Sequence, residues 1–139
     1  MNDAILANKR YLIVDDDEFS CDVLTGVLSH LGCSDIHSAN NCQMALSLAR
    51  QHQPHFVLLD IYMPGNDGWS TLSQLRSVLP SALIIMVTGT GMQADFLKSL
   101  DAHADGFCIK PVATEVMQKT LLGAIKRHSN GVTAHPSSH

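Results

Sequence analysis

The amino-acid sequence predicts an α/β fold built as a doubly wound parallel sheet, and three observations carry that prediction. The stretch Phe56-Val57-Leu58-Leu59 is apolar at every position. It is too short for a lone helix and reads as a strand buried on both faces, as in a parallel sheet covered by helices. Two similar runs, Tyr11-Leu12-Ile13-Val14 and Leu83-Ile84-Ile85-Met86-Val87, are spaced to leave room for intervening helices, as right-handed crossovers require. Each run stops on a polar residue, Asp15, Asp60 or Thr88, and open α/β sheets place their chemistry at the carboxyl ends of strands.

The elements follow in order. After the first strand and Asp15-Asp16-Asp17, the residues Leu24, Val27, Leu28 and Leu31 fall at helical spacing, and Gly32 is a natural stop. Asp17 is placed to solvate or cap that helix start. Ile36-His37-Ser38-Ala39 is short and polar enough for an edge strand. Asn40 or Asn41 can cap a second helix carrying Ala45, Leu48 and Ala49, ended before Pro54. The central strand comes next, closed by the turn cluster Pro64-Gly65-Asn66-Asp67-Gly68, where Gly68 supplies a permissive backbone. A third helix turns Trp69, Leu72, Leu75 and Leu79 inward and is broken by Pro80. The fourth strand ends on Thr88 and the loop Gly89-Thr90-Gly91, and a fourth helix spans about 93–103. Phe107-Cys108-Ile109 is the fifth strand, ending on Lys110-Pro111, and Thr114 can cap a last helix with Met117, Leu121, Ala124 and Ile125 inward. Five strands thus alternate with five helices over residues 1–128. Residues 129–139 lack periodicity and read as a flexible tail or the start of a linker.

Composition narrows the function. A chain of 139 residues is one domain. Its 13 acids outnumber 9 Lys and Arg, with no basic run, so direct nucleic-acid binding, which needs clustered cations, is not expected. No apolar segment is long enough to imply a membrane span. The N-terminus lacks the basic region and apolar core of a signal peptide. Cys21, Cys33, Cys42 and Cys108 form no C-x-x-C pair. They are therefore expected to be reduced thiols in a cytoplasmic protein. The eight His are scattered, three of them (His128, His135, His139) in or beside the tail, which does not suit a His-metal site.

At the strand ends, Asp15-Asp16, Asp60, Thr88 and Lys110 fall on one edge of the predicted sheet. Three converging carboxylates repel one another and call for a cation or a shared proton. A small hard ion such as Mg²⁺ suits an all-oxygen site of this kind. With a hydroxyl from Thr88 and an ammonium from Lys110, the set suits a phosphoryl group. Asp60, on the central strand, is the natural nucleophile for an acyl phosphate.

These residues also carry a resemblance. In Asp15-Asp16 after Ile13-Val14, in Leu58-Leu59-Asp60-x-x-Met63-Pro64-x-x-Asp67-Gly68, in Val87-Thr88-Gly89 and in Ile109-Lys110-Pro111, the chain resembles the receiver domain of two-component response regulators over about residues 9–128. The resemblance implies the flavodoxin-like sheet order 2-1-3-4-5, for which a member of this family is a standard example. It implies that Asp60 accepts a phosphoryl group from a phosphohistidine. Asp15, Asp16, Asp60 and the backbone carbonyl of Tyr62 would hold Mg²⁺, with Mn²⁺ as a substitute. Lys110 and Thr88 would bind the phosphoryl oxygens, Gly89 would leave room for the donor, and Lys110-Pro111 would be a cis peptide. Phe107 matches an aromatic that swings inward with Thr88, against a plainer reading as core. Tyr62 and Thr90 match positions that tune dephosphorylation, and the large Tyr62 ring could lie across the phosphoryl group and exclude water.

The resemblance further implies a signalling phosphoacceptor that catalyses only its own phosphorylation and dephosphorylation. Its donor would be a sensor histidine kinase or a histidine phosphotransfer protein. Its output, through the fourth helix, fifth strand and fifth helix, would be a downstream effector, a covalently linked output domain, or a phosphorylation-dependent homodimer. The winged-helix branch has Asp-Asp where this chain has Asp105-Gly106, so that branch is not expected. The rival reading is a haloacid-dehalogenase-like phosphatase. There Asp15 is the nucleophile and Asp17 the general acid, with Thr88 and Lys110 binding phosphate. It leaves Asp60 idle and lacks a late acidic pair.

Overall fold

The computed structural model describes residues 2–63, 66–89 and 93–129. Its central sheet is parallel, from strands β1 (Arg10–Val14), β2 (Asp35–Ala39), β3 (Phe56–Asp60), β4 (Leu83–Thr88) and β5 (Gly106–Ile109), in the order β2-β1-β3-β4-β5. Six helices cover it: α1 (Asn2–Ala7), α2 (Glu18–His30), α3 (Cys42–His52), α4 (Gly68–Val78), α5 (Gln93–Asp101) and α6 (Thr114–Ser129). The doubly wound architecture and the 2-1-3-4-5 order are as expected. The addition is α1, whose Leu6 is fully buried and whose Leu6 carbonyl accepts from the Tyr11 hydroxyl at 2.8 Å. A helix of six residues is too short to display a helical period in the sequence.

Alternation along the strands builds two cores. Tyr11, Ile13, Phe56, Leu58, Ile85 and Val87 face α2 and α6, meeting Leu24, Leu28, Met117 and Leu121. Leu12, Val14, Val57, Leu59, Ile84 and Met86 face α3 and α4, meeting Ala45, Ala49, Leu72 and Leu75. Every residue of β3 is buried. β3 is paired to β1 from Tyr11 opposite Phe56 to Val14 opposite Leu59, and to β4 from Phe56 opposite Leu83 to Asp60 opposite Val87. That double register fixes where Asp60 emerges.

The helix ends are set by side chains read from the sequence, with two changes. Asp17 caps α2, accepting from the Phe19 N–H at 3.3 Å. Gly32, at φ +88°, closes α2 with Gly32 and Cys33 N–H groups donating to the Ser29 and Leu28 carbonyls, a Schellman arrangement. Asn41, not Asn40, caps α3, accepting from Met44 N–H at 2.8 Å. Thr114 is not a cap but the first helical residue of α6, and the Ala113 carbonyl accepts from Met117 at 3.0 Å.

The second change concerns Gly68. A Cβ there would meet the Asp60 carbonyl oxygen and the Ile61 Cα, each at 2.6 Å. Close approach of α4 to the end of β3, rather than turn conformation, is what requires glycine. Ahead of it, Tyr62–Met63 and Asn66–Asp67 pair as a short antiparallel ladder. Among the described residues no helix is long and apolar enough to cross a membrane. The expected tail lies, beyond Ser129, outside the described residues.

Candidate functional site

Because all five strands are parallel, their carboxyl ends share one edge, and the buried runs deliver their polar end residues there. Asp15 follows Val14 and is 1% exposed. Its Oδ1 accepts from the Asp17 N–H at 2.9 Å, and its Oδ2 accepts from the Ser20 hydroxyl at 2.6 Å and the Lys110 ammonium at 2.7 Å. Asp60 ends β3 at 7% exposure. Its Oδ1 accepts a long bond from the Tyr62 N–H at 3.4 Å and lies 3.7 Å from Lys110 Nζ. Asp16 is exposed, and one oxygen from each of Asp15, Asp16 and Asp60 lies within 4.8 Å of the others. Thr88 is buried at the end of β4, one residue beyond Asp60's register partner Val87. Its carbonyl accepts from the Lys110 N–H at 2.6 Å, and the Lys110–Pro111 peptide is cis. Thr90 lies outside the described residues.

The electrostatics follow from that crowding. Burial, then the charge of Asp15, pushes the Asp60 carboxyl up to about 6, against the pull of Lys110 and the Tyr62 N–H. Burial alone would lower the Lys110 ammonium. The hydrogen bond to Asp15 and the charges of Asp60 and Asp15 outweigh it, so the group is raised and stays cationic. The donor set is all oxygen and three carboxylates deep around one ammonium, which fits a hard divalent ion.

The surroundings of Tyr62, Phe107 and Trp69 depend on contacts between elements. The Tyr62 ring is 53% exposed, and its hydroxyl donates to both oxygens of Asp95 in the first turn of α5, at 2.8 and 3.0 Å. The fate of Tyr62 is therefore decided by α5, which spacing alone did not reveal. Phe107 is half-buried and packs edge-on against Phe96, with centroids 5.7 Å apart. Trp69, read as an inward anchor, is also half-buried, with Lys98 Nζ 5.1 Å from its ring centroid.

Ser20 and Asp95 are the residues the sequence did not single out. A serine in a first helical turn looks like ordinary helix chemistry, and Asp95 meets its partner 33 positions away. The phosphatase reading needs Asp15 free to attack and Asp17 free to donate a proton. Asp15 instead accepts from three donors, and one oxygen of Asp17 caps α2.

An acidic edge on a parallel 2-1-3-4-5 sheet defines a receiver-type phosphoacceptor domain, and residues 11–122 match the family model of the response regulator receiver domain. The chain belongs to that family. Among its relatives, chemotaxis protein CheY of Bacillus subtilis is 32% identical over 116 residues, covering 81% of this chain and 97% of that one. The probable transcriptional regulator ycf27 of Cyanophora paradoxa is also 32% identical, over 88% of this chain but only 51% of its own length. The two match equally well, so similarity assigns the family and not an output. Among solved structures, the CheX-CheY-BeF3-Mg+2 complex from Borrelia burgdorferi aligns at TM-score 0.78 and 27% identity, covering 84% of this chain and 89% of that one. A Burkholderia pseudomallei response regulator with a phosphorylated aspartic acid, calcium ion and citrate aligns at TM-score 0.76 and 26% identity, over 89% and 73%.

Proposed function

We propose that this chain takes a phosphoryl group onto Asp60 from a phosphohistidine and thereby switches an interaction surface. The observation that carries the reading is Asp60 itself, at the end of the fully buried central strand, beside Lys110 and within reach of Asp15 and Asp16. In the transfer, an Asp60 oxygen bonds to phosphorus as the donor's N–P bond breaks, and the histidine leaves with the electron pair. Asp60, at about 6, is largely ionised at neutral pH and can act without a base. Lys110 is placed to bind a phosphoryl oxygen, and Thr88, next along β4, to donate its hydroxyl to another. A Cβ at Gly89 would meet nothing within 4 Å. The fold itself does not demand glycine there, which favours a role in leaving space for the donor.

Asp15, Asp16, Asp60 and the Tyr62 carbonyl would hold Mg²⁺, or Mn²⁺ in its place. When bound, the ion supplies neutralisation of the charge that develops on the transferring oxygens. Support comes from the all-oxygen cluster and from Mg²⁺ in the Borrelia complex. The donor would be a sensor histidine kinase or phosphotransfer protein in the cytoplasm. The output surface is read as α5, β5 and α6, where Phe107 bridges Thr88's strand neighbourhood to Phe96. The partner there is a downstream effector, a linked output domain or a second copy.

The test is intact-mass measurement after incubation with a small acyl-phosphate donor and Mg²⁺. Wild type should gain one phosphoryl group and Asp60→Asn none. Equal labelling of the two would sink the assignment.

A further inference from the structure

Ser20 is buried beside the acidic cluster yet has no part in the transfer just described. Its place in the chain explains how it arrives there. Asp15 follows β1, Asp17 caps α2, and Ser20 is the third helical residue. A side chain at that position points back over the helix start, where a Glu or Gln often reaches the N–H of the capping residue. In this chain that N–H, on Asp17, already donates to Asp15 Oδ1 at 2.9 Å. The short side chain of Ser20 reaches back instead to Asp15 Oδ2, at 2.6 Å. The start of α2 therefore grips one carboxylate by both oxygens, and Lys110 docks onto Oδ2 at 2.7 Å.

The helix itself does not call for this hydroxyl. Asp17 supplies the cap, and its carbonyl accepts from the Cys21 N–H at 3.0 Å. A serine inside a helix is less favourable than alanine, and its usual outlets are a cap or a backbone carbonyl. Ser20, 9% exposed, spends its hydroxyl on a carboxylate that is itself 1% exposed.

We propose that Ser20 is a positioning residue for the divalent ion: by holding the Asp15 carboxylate it presets the oxygen cluster of Asp15, Asp16 and Asp60 and tightens Mg²⁺ binding. This rests on the metal reading above. The hydroxyl has two opposing effects. It draws charge off Oδ2, which weakens the pull on a cation, and it fixes the plane of the carboxylate, which the ion would otherwise have to order. Lys110 already draws on the same oxygen, so the first effect is small. Without Ser20 the carboxylate is free to follow Lys110, whose Nζ also lies 3.7 Å from Asp60 Oδ1, and the cluster loses its fixed member. Partners that orient metal-binding carboxylates commonly change affinity by about 10–100-fold.

The experiment melts the EDTA-stripped protein over a series of MgCl₂ concentrations, in wild type, Ser20→Ala, Ser20→Thr, Asp15→Asn and the double variant Ser20→Ala/Asp15→Asn. The Tm without metal reports the fold, whereas the Mg²⁺ concentration at which Tm begins to climb reports Kd. Ser20→Ala should move that concentration up about tenfold. Ser20→Thr keeps the hydroxyl and should respond as wild type does. In the Asp15→Asn background Ser20→Ala should add no further shift, because it acts through Asp15. A merely structural serine would lower the metal-free Tm and leave the Mg²⁺ midpoint where it was, and that result in Ser20→Ala overturns the proposal. So does a tighter Kd, a shift in Ser20→Thr as large as in Ser20→Ala, or an equal shift with Asp15 replaced. If Ser20→Ala does not fold, Ser20→Cys keeps the shape with a weaker donor, and an unshifted midpoint there overturns it equally. A wild-type curve indifferent to Mg²⁺ refutes the metal reading and this inference with it, whereas a wild-type response that Ser20→Ala shares unchanged counts against Ser20 alone.

Discussion

Asp60→Asn should make the metal-free protein more stable, and the pH dependence of the gain identifies its cause. In the folded chain the Asp60 carboxyl titrates near 6 instead of 3.8. A raised acid binds its proton more tightly in the native state than in the unfolded one. Stability therefore falls as pH rises from about 4 through about 6, and the loss persists above that. At about 1.36 kcal/mol per pH unit, the ionised carboxylate costs the fold about 3 kcal/mol at neutral pH. That figure already contains the attraction of Lys110, since Lys110 is among the causes of the shift.

Asn keeps an oxygen for the Tyr62 N–H, and Lys110 keeps its short contact to Asp15. Most of the gain should therefore appear, as a rise of roughly 10 °C in Tm for a chain of this size. The assay is urea or thermal unfolding in EDTA at about pH 4, 6 and 8, the window set by the two titrations. Wild type and variant should agree at the acid end and diverge towards pH 8. A variant no more stable at pH 8, or a difference independent of pH, would show that the site does not strain the apo fold.

Two further outcomes complete the site and its output. Mg²⁺ at about a hundred times its Kd should stabilise wild type by about 2.7 kcal/mol. Asp16→Asn, at an exposed position, should abolish most of that response without weakening the apo protein, and a wild-type melting curve indifferent to Mg²⁺ would refute the metal site. Phe107→Ala should leave labelling of Asp60 intact while weakening phosphorylation-dependent dimerisation or partner binding, measured by size-exclusion chromatography with and without donor. Loss of labelling along with binding would make Phe107 core alone.

The legible parts of this molecule are those fixed by burial on both sides. β1, β3 and β4 are continuous apolar runs because each is covered by helices on two faces. A strand buried this way ends where its apolar run gives way to polar groups, so Asp15, Asp60 and Thr88 mark the edge directly in the sequence. What stayed hidden depends on distances between elements. α1 is too short to show a period. The need for Gly68 comes from the backbone of Asp60 and Ile61 pressing on it, a contact with no sequence signature. Asp95 reads as an ordinary first-turn acid until α5 is placed against the loop after β3.

The sharpest case is the difference between Asp15 and Asp60, two acids that look alike as residues ending buried apolar runs. Asp15 accepts three bonds of 2.6, 2.7 and 2.9 Å, from Ser20, Lys110 and the Asp17 N–H. Those three short bonds fix its orientation, so it anchors the ammonium. Among the described residues Asp60 has contacts of 3.4 and 3.7 Å, to the Tyr62 N–H and Lys110. A carboxylate that has given up water for such long bonds is poorly stabilised as an anion, which is why its carboxyl is pushed up. The same shortage suits the proposed role, in which an Asp60 oxygen bonds to phosphorus. Lys110 serves both conditions, since its shorter contact to Asp15 holds it beside Asp60 without quenching that group. Ser20 and the Asp17 N–H hold Asp15 in place, and of the two buried acids in the cluster Asp60 is the less firmly bonded, which is what the proposed role as phosphoacceptor asks of it.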